Sequence, residues 1–68
     1  MGVEESAGAG LTERERTICA LYQSGKSIEQ IADVLGLAPR MVISYMAGNI
    51  ASKLGLPNRK SVEQYLRQ

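Results

Sequence analysis

An all-α fold, a four-helix helix-turn-helix bundle, is what the sequence predicts, and three observations carry it. Residues 27–54 (SIEQIADVLGLAPRMVISYMAGNIASKL) read as two helices joined by a tight glycine-containing turn, the pattern of a helix-turn-helix. Thr12, Ser27 and Asn58 stand where a side chain can cap a helix start, and Gly25, Gly36 and Gly55 stand where a helix can stop. Between these signals apolar residues recur at helical spacing.

Residues 1–10 (MGVEESAGAG) are small, polar and rich in glycine and alanine, so they are expected to be a flexible tail or linker remnant ahead of a domain over 11–68. The first helix opens at Leu11-Thr12-Glu13-Arg14-Glu15. Thr12 accepts from the backbone N–H three residues on while Glu15 reaches back, which is the capping box. Leu11 can staple onto the stem of Arg16, and the helix should end near Gln23 or Ser24, with Ile18, Leu21 and Tyr22 inward and Gly25 as its stop. Ser27 repeats the capping box with Gln30. Ile28, Ile31, Ala32 and Leu35 then form one continuous apolar face, and a helix of that kind needs burial to exist. Gly36 stops this second helix, Leu37 plugs the corner, and Pro39 suits the first turn of the next helix, where its missing N–H costs nothing.

The third helix is expected over about Pro39 to Lys53. A wheel at about 100° per residue puts Val42, Ile43, Met46, Ala47, Ile50 and Leu54 on the core side. The outward side carries Met41, Ser44, Tyr45, Gly48 and Ser52, with Arg40 and Lys53 near its edges, and is nearly uncharged. Asn58 can cap a last helix from Arg59 to Arg67, whose apolar side is Val62, Tyr65 and Leu66.

The composition closes off several functions. A chain of 68 residues makes one small domain with a thin core, burying only about 60% of its unfolded surface. It contains no His, Trp or Phe, and its single Cys19 can make neither an internal disulfide nor a zinc site, so no metal or cofactor is expected. Cys19 falls among apolar residues and reads as a buried core thiol in a reduced, intracellular, cytoplasmic setting. No apolar run approaches the ~18 residues of a membrane span, and no secretory signal opens the chain, so no membrane partner is expected. Met1-Gly2-Val3-Glu4-Glu5-Ser6 matches a myristoylation pattern, but such short patterns recur by chance and an anionic membrane would repel Glu4 and Glu5.

Catalysis is not expected either. Ser24, Ser27 and Ser61 have no base at a suggestive spacing, and Glu13 and Glu15, two apart on a helix, diverge. Gly25-Lys26-Ser27 resembles the end of a phosphate loop, yet position 20 is Ala20 where the motif needs glycine and no strand precedes it. Charge is divided unevenly. Residues 1–35 carry six acidic side chains against three basic ones, and residues 36–68 carry Arg40, Lys53, Arg59, Lys60 and Arg67 against Glu63. The half with the second helix of the motif is therefore the positive one, where a phosphate backbone would lie.

At this point the chain resembles the DNA-binding domains of LuxR/FixJ/GerE-type bacterial transcription regulators. Leu11-Thr12-Glu13-Arg14-Glu15-Arg16 matches that family's LTxRE opening, Gly25 with Ile31-Ala32 and Leu35 its middle, and Lys53-Leu54-Gly55-Leu56 with Asn58-Arg59 its KLGV-x-NR ending. The resemblance implies a LuxR-type output domain in which the third helix enters the DNA major groove and the fourth contributes to a homodimer. It also implies either an excised output domain or a stand-alone regulator, since family members usually sense their signal through a preceding domain. Two departures stand out. Where the family reads S-x-K-T-V followed by a His, this chain reads Ala38-Pro39-Arg40-Met41-Val42-Ile43-Ser44-Tyr45, and one residue too many lies between Val42 and Lys53. If the extra residue is in the turn, Ile43 and Met46 take the Val and His positions, which the wheel favours. If it is inside the helix, Val42 and Tyr45 take them and a bulge near Gly48 absorbs it.

For a sequence-specific regulator on double-stranded promoter DNA, the expected base readers are Arg40, Met41, Ser44 and Tyr45. The expected phosphate contacts are Lys26, Ser27, Lys53, Arg59 and Lys60, with Arg40 able to serve in either role. Dimerisation falls to Val62, Tyr65 and Leu66 if they do not simply close the monomer core. The competing expectation is a helix-turn-helix scaffold for protein contact. Its neutral face of Met41, Tyr45 and Gly48 would dock a partner such as an RNA polymerase subunit or another regulator.

Overall fold

The computed structural model describes residues 10–68, so the readings of residues 1–9 as a tail and as a myristoylation pattern lie outside the described residues. Four helices run in order: α1 (Glu13–Gln23), α2 (Ile28–Leu35), α3 (Pro39–Leu54) and α4 (Arg59–Leu66). Among the described residues there is no strand, as expected for an all-α chain.

The helix starts form from local chemistry. The Thr12 N–H donates to Glu15 Oε1 at 2.8 Å and the Glu15 N–H to Thr12 Oγ1 at 3.2 Å. Ser27 and Gln30 make the same reciprocal pair at 2.9 and 3.1 Å, and the Ser61 N–H donates to Asn58 Oδ1 at 2.9 Å. Only α3 begins without a side-chain cap, on Ala38 and Pro39. The helix ends are equally local. Gly36 and Gly55 adopt φ of 70° and 73°, which lets the Leu37 N–H return to the Ala32 carbonyl and the Leu56 N–H to that of Ala51, each at 2.8 Å.

α2 and α3 meet at 108°, within the range of a helix-turn-helix, and α3 packs on all three other helices. The core is Ile18, Cys19 and Tyr22 from α1, Ile31 and Ala32 from α2, Val42, Met46, Ile50 and Ala51 from α3, and Val62 and Leu66 from α4. No single helix among the described residues is long and apolar enough to cross a membrane.

α3 departs from the straight wheel. Residues Tyr45–Ile50 form a π turn, and the Ala51 N–H reaches back five residues to the Met46 carbonyl. The extra residue therefore lies inside the helix, and its expected placement in the turn is wrong. Val42 is fully buried while Ile43 is only half-buried, so Val42 takes the core position that the turn placement would have given to Ile43. Within the π turn Ala47, expected in the core, is exposed, and just beyond it Ala51 is buried in its stead. A straight helix would have placed Ala51 about 180° round the axis from Val42; the wider turn brings both to the inner side.

Gly48 sits in that turn without a positive φ, and a Cβ there would meet nothing within 4 Å. The glycine is thus a cost with no steric requirement behind it. Gly48→Ala should raise stability by about 1 kcal/mol, read in thermal unfolding as a Tm gain of roughly 4–8 °C. A fall in Tm would show that the turn requires glycine.

Candidate nucleic-acid interface

α3 gathers all four expected base readers on one face. Arg40, Met41, Ser44 and Tyr45 line an open groove of about 420 Å³ together with Asn49. Arg40, Ser44 and Asn49 are exposed, Met41 is 45% exposed, and Tyr45 is half-buried with its ring packed against the core. Among the described residues Arg40 has no ion-pair partner, so its guanidinium is available to a ligand. It is the one charge in a groove otherwise made of neutral polar and apolar groups.

The expected phosphate contacts are more scattered. Ser27 spends its hydroxyl on the α2 cap and lies by Glu29, Asp33 and Pro39 at the α2–α3 corner. Lys26 is half-buried just before it. Arg59 pairs with Glu63 at 3.5 Å, and Lys60 lines the α1–α4 groove beside Tyr22 and Arg67, whose guanidinium lies 4.4 Å over the Tyr22 ring. Lys53 is not a free cation: its ammonium donates to Glu15 Oε1 at 2.8 Å. Its charge is thus shared with a buried carboxylate, and only the remaining N–H groups of a one-third exposed side chain face water.

The Glu15–Lys53 pair ties the start of α1 to the end of α3 and was hidden in the sequence. The Glu15 side chain is 2% exposed and that of Lys53 33%. Burial works to raise the Glu15 carboxyl, but the Lys53 ammonium, the Thr12 N–H and the Asn49 side chain outweigh it and hold its pKa below the ordinary 4.5. Cys19 is buried as expected. Burial first, and the negative charge of Glu15 second, push its thiol up from 9.0, so it stays protonated.

The residues assigned to a dimer separate. Val62 and Leu66 are consumed by the monomer core, a correction to their expected place on a subunit contact, while Tyr65 is 50% exposed. Tyr65 stands at the edge of an apolar groove of about 440 Å³ shared with Leu11, Cys19, Leu54 and Leu66. Asn49 is the groove residue that sequence reasoning missed. The signal was present as the surplus residue in α3, but a straight wheel cannot show which residues a π turn rotates.

Comparison with curated proteins and with solved structures found no match. The family model for bacterial regulatory proteins of the luxR family, DNA-binding helix-turn-helix transcription regulators and not enzymes, matches residues 9–66. The chain belongs to the luxR family of bacterial regulatory proteins.

Proposed function

We propose that this chain is the DNA-binding output domain of a sequence-specific transcriptional regulator, acting in the bacterial cytoplasm, with α3 in the major groove of promoter DNA. The observation that carries the reading is the single groove on α3 where an unpaired Arg40 stands beside Met41, Ser44 and Tyr45. Arg40 offers a bidentate fork to guanine, Met41 an apolar contact to a thymine methyl, and Ser44 a hydroxyl suited to more than one base. The α3 N-terminus adds the positive end of its dipole next to Arg40.

Lys26, Arg40 and Lys60 are the members of the cation set without an ion pair among the described residues. Three phosphate contacts give an affinity that falls about 40-fold between 50 and 200 mM salt, so one copy binds weakly. Two copies joined across the outer face of α4 at Tyr65 would double the contacts, which is why we favour a homodimer on DNA. Fluorescence anisotropy of a labelled duplex, titrated at low and moderate salt, tests this. Salt-sensitive binding supports it. No binding at low salt would instead favour a protein-docking scaffold for RNA polymerase or another regulator, to which the exposed Met41 is also suited.

A further inference from the structure

Among the described residues sulfur occurs at Cys19, Met41 and Met46, and the fold treats the three differently. Met46 is fully buried and Cys19 lies in the core, whereas Met41 is 45% exposed on the α3 groove beside Arg40, Ser44 and Tyr45. Burial first and the charge of Glu15 second keep the Cys19 thiol protonated, so the thiolate that an oxidant attacks is scarce. A thioether needs no deprotonation, and exposure decides which methionine an oxidant reaches. The accessible sulfur is therefore the one inside the groove.

Oxidation changes what that side chain can do. A peroxide oxygen bonds to the sulfur as the O–O bond breaks; sulfur gives up two electrons, and the other oxygen leaves as water with both protons. The apolar thioether becomes a polar, chiral sulfoxide whose oxygen accepts hydrogen bonds. Met41 and Ser44 are three apart on α3 and neighbours on its surface, which makes the Ser44 hydroxyl the near donor. Arg40, without an ion-pair partner among the described residues, is a second donor lining the same groove. The new oxygen competes for both groups and turns a partial negative charge toward any phosphate.

We propose that Met41 is a peroxide-sensitive modification site: its oxidation weakens DNA binding by this domain, and a methionine sulfoxide reductase restores it. The proposal rests on the α3 groove meeting DNA. The reductive step balances with a dithiol, which becomes a disulfide as the sulfoxide oxygen leaves as water.

The wild-type chain and Met41→Leu, each with and without hydrogen peroxide treatment, titrated onto a labelled duplex by fluorescence anisotropy, test the proposal. Met41→Leu retains every other sulfur of the chain. Mass spectrometry of the tryptic peptide 41–53, which carries both Met41 and Met46, should place the added oxygen on Met41. Peroxide should weaken binding by the wild type about tenfold, the scale of setting a polar atom against an apolar contact, and leave Met41→Leu within about twofold of its own untreated affinity. Methionine sulfoxide reductases with dithiothreitol should restore the wild type, and dithiothreitol alone should not. Recovery with dithiothreitol alone, an equal loss in Met41→Leu, an unmodified Met41, or no loss once Met41 is oxidised would each overturn the proposal and leave DNA binding standing. Absence of binding before any peroxide is added would overturn the DNA reading and the proposal with it.

Discussion

Lys53→Met should cost about 3 kcal/mol of unfolding free energy, the low end of the range for stripping one partner from a buried pair. Lys53 is 33% exposed and keeps some contact with water, which is why the low end applies, whereas Glu15 at 2% exposure cannot exchange its partner for solvent. For an ordered domain of this size, with a total stability of about 3–9 kcal/mol, that loss is a large fraction. Glu15→Gln should cost less, about 1 kcal/mol, because a Gln oxygen still accepts from the Thr12 N–H at the cap. Adding Lys53→Met to Glu15→Gln should then cost little more, since the charge that Lys53 neutralised is gone.

The same pair sets a pH dependence. The folded pKa of Glu15 lies below its ordinary 4.5, so its contribution is complete above that value and is lost as pH falls through the folded pKa. Urea unfolding between neutral and acid pH should show the wild type losing stability on acidification and Lys53→Met losing less. Equal stabilities and superimposable acid profiles would show that the pair contributes nothing.

Arg40→Ala should weaken binding to a preferred site about 30-fold, corresponding to about 2 kcal/mol for one bidentate guanine contact. Arg40 has no ion-pair partner among the described residues and is exposed, so the change should move folding stability by no more than about 0.5 kcal/mol. Loss of binding with folding retained separates a reader from a structural residue. If Arg40 also touches a phosphate, the salt slope drops by about one unit; if it touches only guanine, preference at one base position relaxes instead. Unaltered affinity and unaltered preference would remove Arg40 from the interface.

Most of the fold was legible because its signals are local. The capping partners at Thr12 and Glu15, Ser27 and Gln30, and Asn58 and Ser61 lie three residues apart, and the glycine stops act on the turn that precedes them. What escaped was either distant or dependent on helix pitch. Glu15 and Lys53 are 38 positions apart, and each already had a sufficient local explanation, one as a cap and the other as a phosphate contact. Val62 and Leu66 present an apolar side that a core or a partner would fill equally well, and only the packing of α4 against α1 and α3 decides for the core. The surplus residue in α3 was visible by count. Its location was not, because an assumed pitch of about 100° per residue spreads any local widening over the whole wheel. Ala47, Ala51 and Asn49 were misplaced or overlooked for that one reason.

The central claim is that the α3 groove is the surface that meets DNA. Backbone amide resonances of the isotope-labelled chain, followed by NMR as a mixed-sequence duplex is added at about 50 mM salt, test it most directly. Shifts should gather at Arg40, Met41, Ser44, Tyr45 and Asn49 and shrink as salt is raised. Resonances of these five residues that stay unmoved at low salt would contradict the account.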